Sequence, residues 1–196
     1  TPFQRHGERH FLVLLRDISD RLRAEQRLRF LAHFDPLTQL ANRNYLLQRL
    51  EQLLAARLPV SMLYLDLDHF KRINDKYLHA TGDRILQRVA QLISGTVRQG
   101  DFAARWGGEE FTLLFPYKNA EEAARLCEII RLEIAGYDFS ELADSLSVTV
   151  SFGVADNAQV ADYDRLLSHA DNALYNAKNN GRNQIFIYNQ GCITLD

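Results

Sequence analysis

Two adjacent glycines and two adjacent glutamates, residues 107–110, interrupt otherwise apolar sequence near the middle of the chain. The flanking segments, residues 102–106 and 111–115, are rich in the aromatic and aliphatic side chains that favour short β-strands. The glycines supply the positive backbone angles that a tight hairpin requires. The sequence therefore predicts a β-hairpin that carries both glutamates at its tip.

That glutamate pair, Glu109 and Glu110, has two interpretations. Neighbouring carboxylates repel each other, so the pair is most stable beside a bound cation or in open water. Because the carboxylate oxygens stand without clustered His or Cys, the natural cation is a hard ion such as Mg²⁺. The alternative is a solvated turn with two surface acids, and these residues alone leave both interpretations open.

The composition is that of one globular domain with a core and some additional chain, since 46% of the 196 residues are hydrophobic and 24% are charged. A net charge of −2 argues against a protein that binds nucleic acid through bulk electrostatics. Cys127 and Cys192 lack the spacing of a zinc site or a disulfide framework. No apolar run reaches the roughly twenty residues that cross a bilayer, and no signal peptide opens the chain. We therefore expect a cytoplasmic setting, with membrane attachment only through a parent protein.

The first part of the chain differs from the rest. Residues 10–15 predict a strand with no partner strand nearby in sequence, so residues 1–18 are interpreted as the remnant of a preceding domain. A helix is predicted to begin near Arg21, and its weak apolar stripe among many charges suits a linker or coiled-coil arm over residues 19–34.

The main domain is predicted to begin at Asp35-Pro36, where proline ends the preceding helix, and to run to residue 190, before a tail or linker over residues 191–196. Its strands and helices alternate around the central hairpin. This order favours an α/β (α+β) fold, in which helices cover a mostly antiparallel five-stranded sheet with a split βαβ core of the ferredoxin-like kind. The other predicted elements are helix 42–56, a strand buried on both faces over 60–67, a helix capped by residues 81–83, helix 119–135, a half-buried strand over 146–154, a helix from 162 to 181 and strand 184–188.

Two acids close the predicted central strand, where apolar residues are expected. Asp66 and Asp68 project on the same side, because side chains alternate along a strand with period two. A satisfied buried acid or a helix cap explains one of them, but less easily both. Glu109 can meet Asp66 if this strand and the hairpin are neighbours in the sheet.

Seven segments, in order from residue 35 to about residue 188, resemble the signature of the GGDEF-type diguanylate cyclases. The resemblance covers most of the chain and implies a nucleotidyl-cyclase palm, preceded by a signalling helix and by the end of a PAS-like sensor domain. The matching segments are Asp35-Pro-Leu-Thr, Asn42-Arg43, residues 65–71 with Asn74-Asp75, Gly82-Asp83, residues 105–111, Ser151-Phe-Gly153 and Ala177-Lys178 with Gly181-Arg182-Asn183.

The resemblance implies that two GTP molecules are joined into cyclic di-GMP with release of two pyrophosphates, by two-metal phosphoryl transfer. Asp66, the Leu67 carbonyl and Glu109 would hold Mg²⁺, for which Mn²⁺ can substitute. Glu110 would be a further ligand or would help to deprotonate the 3′-hydroxyl, and the sequence does not separate these roles. Since one site holds one GTP, two chains would face each other as a homodimer.

The same resemblance assigns the nucleotide contacts. His69, Phe70 and Lys71 would hold the β- and γ-phosphates through helix-start amides and the lysine charge. Without the flanking pattern, Lys71 would be interpreted as a solvated lysine. Asn74 and Asp83 would read guanine, although a turn asparagine and a helix-start aspartate need no such role. Two cations, Lys178 and Arg182, would hold the triphosphate from the other side, and they also suit a helix C-terminus.

An Arg-x-x-Asp sequence, Arg98 to Asp101, stands before the hairpin and resembles the family's inhibitory site for the product. Arginine can bind phosphate or stack on guanine, and an aspartate can pair with a guanine edge.

Two departures from the family pattern, Gln39 and Leu78, replace usual glycines. Neither is a ligand position, so we expect altered loops rather than lost activity.

A rival interpretation is a non-catalytic receptor that binds GTP or cyclic di-GMP and acts on a partner domain. The intact pair Glu109 and Glu110, together with Lys71, weighs against it. A third interpretation is a cyclase that makes a different cyclic nucleotide.

Overall fold

The computed structural model describes residues 2–5, 8–11, 17–158, 160, 162–189 and 191–193. Its contacts divide the chain into two units, residues 1–31 and residues 32–196. No helix among the described residues has the length and apolar character needed to span a membrane.

The first unit contains a two-stranded hairpin and most of a helix. Strands β1 (Pro2–Arg5) and β2 (Glu8–Phe11) pair antiparallel. The prediction that the strand near residues 10–15 has no partner nearby in sequence is therefore wrong, because β1 ends only three residues before β2 starts; residues 12–16 lie outside the described residues. That residues 1–18 end a sensor domain stays a prediction.

Helix α1 (Ser19–His33) confirms the predicted arm helix. It starts where the Asp17 carboxylate accepts a hydrogen bond from the Ser19 amide at 2.9 Å. No residue of α1 is buried, as expected for a helix with many charges and a weak apolar stripe.

The second unit is built on one seven-stranded sheet with the order β3-β5-β6-β4-β7-β8-β9. Neighbouring strands are antiparallel except for the pairs β3–β5 and β7–β8. The α/β fold and the mostly antiparallel sheet are confirmed, but two short edge strands raise the count above the predicted five. The elements are β3 (Ala41–Asn42), α2 (Arg43–Ala55), β4 (Val60–Leu67), α3 (Phe70–Tyr77), α4 (His79–Thr96), β5 (Phe102–Gly107), β6 (Glu110–Pro116), α5 (Ala120–Gly136), β7 (Val150–Asp156), α6 (Tyr163–Asn179), β8 (Ile185–Ile187) and β9 (Gly191–Ile193).

The central strand β4 is buried along its whole length, as its apolar sequence predicts. Leu63 and Leu65 belong to a core cluster that contains the inward faces of α4 and α5. Met62 and Tyr64 belong to a second cluster with α2 and α6. Helices therefore cover the sheet on both faces, and Asp66 projects on the side of α6.

Strand β7 differs from the prediction of a half-buried strand over residues 146–154. It begins at Val150, and its residues are buried on both faces up to the last. The reason lies in the small residue Gly153, over which α6 packs so closely that a Cβ atom would run into the Ala170 carbonyl oxygen and the Leu174 amide nitrogen. The face that looks polar in sequence is thus covered by backbone.

Helix α4 starts two residues before the predicted cap at residues 81–83. Leu78 precedes it with φ +71° and ψ 157°, and its carbonyl accepts hydrogen bonds from the amides of Thr81 and Gly82. Gln39 likewise has φ +60°. Both departures from the family pattern therefore keep backbone angles that glycine adopts most easily.

Three other helix starts are confirmed. Asn42 caps α2 by accepting from the Tyr45 amide, Asn119 forms a capping box with Glu122 at α5, and Asp162 caps α6.

Candidate active site

Antiparallel pairing brings the acids of the central strand and the hairpin together. Asp66 of β4 lies opposite Glu110, the first residue of β6, in the register of the sheet. The Leu67 amide donates to the Glu109 carbonyl at 3.4 Å. Gly108, with φ +52°, makes the turn between β5 and β6. The predicted hairpin and its position beside the central strand are confirmed, but of the two glycines only Gly108 has the predicted positive φ, since Gly107 still belongs to β5.

These acids are crowded in partly buried surroundings. Burial raises the pKa of Asp66, which is only 6% exposed, and the charge of Asp68 raises it further against the opposing effect of Lys178. Burial and then the charge of Asp66 raise the pKa values of Glu109 and Glu110. Three carboxylates that resist ionisation together are an arrangement that a cation stabilises.

Lys178 supplies a positive charge at this point. It lies in the last turn of α6, and its Nζ contacts the Asp66 Oδ2 at 2.8 Å. Arg182, in the turn that follows α6, also lowers the pKa of Asp66 electrostatically. The structure thus places both cations of the predicted phosphate contact next to the acids.

Among the described residues, no group of three or more His, Cys, Asp or Glu side chains is arranged to hold a metal ion. The chemistry of the donors nevertheless fits one, because Asp66, Glu109, Glu110 and the Leu67 carbonyl offer oxygen atoms alone and carry mutually raised carboxyl pKa values. Lys178 now balances the charge on Asp66.

Asp68 proves to be a satisfied buried acid. Its carboxylate accepts hydrogen bonds from the Thr149 hydroxyl at 2.7 Å, the Ser151 hydroxyl at 2.7 Å and the backbone N–H of Asn183 at 3.0 Å. Of the two aspartates, Asp68 is therefore the buried acid with satisfied hydrogen bonds, whereas Asp66 faces Glu110 and Lys178.

The start of α3 follows directly after these acids. His69 adopts a left-handed conformation with φ +57°, Phe70 is buried, and Lys71 is exposed. The backbone reversal at His69 separates the core side chain from the lysine, which is free to reach a ligand at the helix start.

Asn74 contains an unusual polar atom, because its Oδ1 is buried without a hydrogen-bond partner. The side chain lies over Gly82, where a Cβ atom would collide with that same oxygen. Asp83 follows on α4 and is exposed. The helix pair α3 and α4 thus brings Asn74 next to the turn that carries Asp83.

The Arg98–Asp101 turn lies between α4 and β5. The side chain of Arg98 is exposed, but that of Asp101 is only 4% exposed and forms an ion pair with Lys118 at 2.7 Å. The other oxygen of Asp101 accepts from the Arg98 amide at 3.1 Å. This turn therefore presents the arginine outward while its aspartate already has partners.

An ion pair that the sequence did not predict, between Arg105 and Asp35, forms a brace behind the hairpin. The Arg105 guanidinium donates to both Asp35 oxygens at 3.2 and 3.3 Å and to the Gly108 carbonyl at 2.8 Å. Although burial raises the pKa of Asp35, hydrogen bonds from Thr38 and the charge of Arg105 outweigh it and hold that pKa below its usual value. Asp35 and Arg105 both lie in quoted motifs, but their sequence separation hid the contact.

A family model described as diguanylate cyclase, GGDEF domain, matches residues 32–184. The diguanylate cyclase DgcM of Escherichia coli K12 is 39% identical over 188 residues, which is 94% of this chain but 45% of that protein. The chain thus spans less than half the length of this relative.

Solved structures give the same result. The coiled coil and GGDEF domain of DgcB from Caulobacter crescentus, in complex with c-di-GMP, superposes with a TM-score of 0.78 at 34% identity, covering 86% of this chain and 92% of that one. The active GGEEF domain of a diguanylate cyclase from Vibrio cholerae has a TM-score of 0.71 at 33% identity, covering 78% of this chain and 100% of that one.

Proposed function

The chain belongs to the GGDEF domain family of diguanylate cyclases, and from that premise we propose that it joins two GTP molecules into cyclic di-GMP. Each 3′-hydroxyl loses its proton and attacks the α-phosphorus of the other nucleotide, and each attack expels one pyrophosphate. The observation that carries this proposal is the sheet register that sets Asp66 opposite Glu110, beside Lys178.

Members of this family are generally metal-dependent. Asp66, the Leu67 carbonyl, Glu109 and Glu110 would hold Mg²⁺ or Mn²⁺, which when bound neutralises phosphate charge and lowers the pKa of a coordinated hydroxyl. The raised pKa of Glu110 also suits a group that accepts the 3′-hydroxyl proton.

The cations around the acids bind the triphosphate in this proposal. Lys71 and the amides of His69 and Phe70 approach the β- and γ-phosphates from the start of α3. Lys178 and Arg182 approach from α6 and its following turn, and their charges stabilise the departing pyrophosphate.

Asn74 and Asp83 recognise guanine in this proposal. Asn74 is half-buried over Gly82, and its side-chain amide can pair with one edge of the base, while another edge of guanine carries an amino group and an N1–H. The exposed Asp83 carboxylate can accept from the same edge, which adenine lacks.

Two chains are needed, because each site supplies one GTP and both nucleotides react. We expect a homodimer during catalysis, so activity per chain falls as the protein is diluted. Constant activity per chain down to nanomolar protein would contradict a weak dimer.

The decisive experiment incubates the purified protein with GTP and Mg²⁺ and separates the nucleotides by chromatography. Cyclic di-GMP and pyrophosphate are expected in a ratio of about one to two from the stated reaction. Asp66→Ala and Glu110→Ala abolish the product while the fold, measured by circular dichroism, persists. Glu121→Gln, an exposed acid on α5, serves as the control and leaves activity unchanged. Normal synthesis by either site variant refutes the assignment.

The rival function is a receptor that binds GTP or cyclic di-GMP without turnover. Nucleotide binding by calorimetry with no product after long incubation would establish it. A mixture of ATP and GTP in the same assay distinguishes a cyclase with a different product.

A further inference from the structure

Asp68 has no part in the proposed reaction, although its carboxylate lies between β4, β7 and the turn after α6. We propose that Asp68 is a positioning residue that holds the turn of residues 181–183, and with it Arg182, against the acid end of the sheet. The inference rests on the proposed function, because Arg182 matters only if that turn meets the nucleotide.

The carboxylate of Asp68 joins three segments of the chain. It is only 5% exposed and directly follows β4. The hydroxyls of Thr149 and Ser151 donate hydrogen bonds to it from one side, and the backbone N–H of Asn183 donates from the other. Asp68 therefore links the end of β4 and the start of β7 to the turn after α6.

That turn has a backbone which would not persist without support. Gly181, Arg182 and Asn183 have φ values of +120°, +64° and +47° in succession. Left-handed angles at the two residues other than glycine cost about 1 kcal/mol or more each, so neighbouring contacts must hold them. The Arg182 amide donates to the Ala177 carbonyl at 3.0 Å, and Arg131 donates to the Asn183 side-chain oxygen at 2.7 Å.

Within residues 181–183, the hydrogen bond from the Asn183 backbone amide to Asp68 ties the turn to the end of β4 beside the acids, and the next residue, Gln184, accepts from the Phe152 amide of β7 at 2.9 Å. Lys178 belongs to α6 and keeps its place by helix packing. Arg182 lies beyond the helix end, so its position depends on the turn. Loss of the Asp68 carboxylate should therefore release Arg182 while Lys178 stays at Asp66.

A purely structural role for Asp68 makes a different prediction. It would lower stability, and its effect on GTP would multiply with that of any other variant. If Asp68 acts by positioning Arg182, an Asp68 variant should not raise the KM for GTP any further once Arg182 has been replaced.

The test is a double-mutant cycle in the full chain with Asp68→Ala, which removes both acceptor oxygens, Arg182→Ala and the double variant. We expect each single variant to raise the KM for GTP about tenfold, with a smaller change in kcat, and the double variant to match Arg182→Ala. A double variant whose KM rises about a hundredfold, or an Asp68→Ala variant with unchanged KM, overturns the proposal.

Asp156→Ala is the matched control. Asp156 also accepts two backbone amides, from Ala120 and Ala158, but at the opposite end of β7. It should lower the melting temperature without changing the KM. If Asp68→Ala does not fold, Ser151→Ala and Thr149→Val loosen the Asp68 carboxylate and take its place in the cycle.

Hydrogen exchange of the Asn183 backbone N–H tests this proposal independently of the proposed function. Protection in the wild type that is lost in Asp68→Ala and kept in Asp156→Ala supports the tether. Unchanged exchange overturns it. If the wild type makes no cyclic di-GMP, the proposed function fails, and the exchange result still decides whether Asp68 holds the turn.

Discussion

Single residues at the acid end of the sheet differ in how well their neighbours satisfy them. Asp68 has three donors, whereas Asp66 has Lys178 and two nearby glutamates. The alternation of a strand predicted that both aspartates leave on one side. It could not predict which one the fold would satisfy, because the donors lie more than eighty residues further along the chain.

Glu110 should destabilise the folded chain at neutral pH. Its pKa is raised in the folded state by burial first and then by the charge of Asp66. A raised carboxyl pKa gives stability that is complete below the unfolded pKa, near 4.5, and is lost as pH rises through the folded value. Glu110→Gln should therefore melt at a higher temperature than the wild type at pH 7, with a difference that shrinks toward pH 4. Thermal melts across this range check it, and a lower melting temperature at pH 7 would contradict it.

Leu78→Gly should stabilise the protein. Leu78 holds φ +71° and ψ 157°, a region that costs a residue other than glycine about 1–3 kcal/mol, and its side chain is 74% exposed. After the greater chain entropy of unfolded glycine is subtracted, we expect a net gain of about 1 kcal/mol in unfolding free energy. Leu78→Ala removes the same side chain but keeps the strain, so it should give no gain. Urea denaturation of both variants measures the difference, and equal gains would disprove the strain.

At the scale of helices and strands, local signals predicted what local forces determine. The apolar run of β4, the Gly-Gly turn before β6 and the capping box of α5 all form as expected. The edge strand β3, only two residues long, carries no periodicity to read. The both-sided burial of β7 comes from α6 packing on it, which the sequence of β7 alone does not contain.

Gly153→Ala should be strongly destabilising. A Cβ atom there meets main-chain atoms of α6, including the Leu174 Cα at 2.8 Å, so the whole helix must move. We expect a loss of about 3 kcal/mol or more in unfolding free energy. Gly95→Ala is the matched control on α4, where nothing lies within 4 Å of the added methyl, and helix propensity predicts a gain of about 0.5 kcal/mol. Chemical denaturation compares them, and a tolerated Gly153→Ala would refute the close packing.

For the whole molecule, the site is assembled from segments far apart in sequence. Asp66, Glu110 and Lys178 meet through the antiparallel pairing of β4 with β6 and through the placement of α6. The residues themselves were predicted by their resemblance to a family pattern. The brace from Arg105 to Asp35 was not, since it depends on how the hairpin folds back on the start of the domain.

We propose that cyclic di-GMP inhibits the enzyme at the Arg98–Asp101 turn, as the resemblance implies, so Arg98→Ala should relieve that inhibition. Arg98 is exposed after α4, whereas the carboxylate of Asp101 is already bound by Lys118 and its own turn, so the arginine must make the main contact with product phosphate. We expect the concentration of cyclic di-GMP that halves initial velocity to rise about tenfold or more, with unchanged initial velocity in its absence. Arg84→Ala removes an exposed arginine on α4 and is the control. Inhibition that persists unchanged in Arg98→Ala would exclude this turn as the inhibitory site.

The near-direct contact of α6 with β7 at Gly153 also bears on how the protein can evolve. No side chain lies between the two backbones at that point, so exchanges of Leu, Ile or Val elsewhere in the interior leave the spacing between helix and sheet unchanged. The distance from the sheet at which α6 places Lys178 is therefore little affected by gradual sequence change. Lineages of this domain could diversify most of their interior and still retain the same separation between that positive charge and the acids below it.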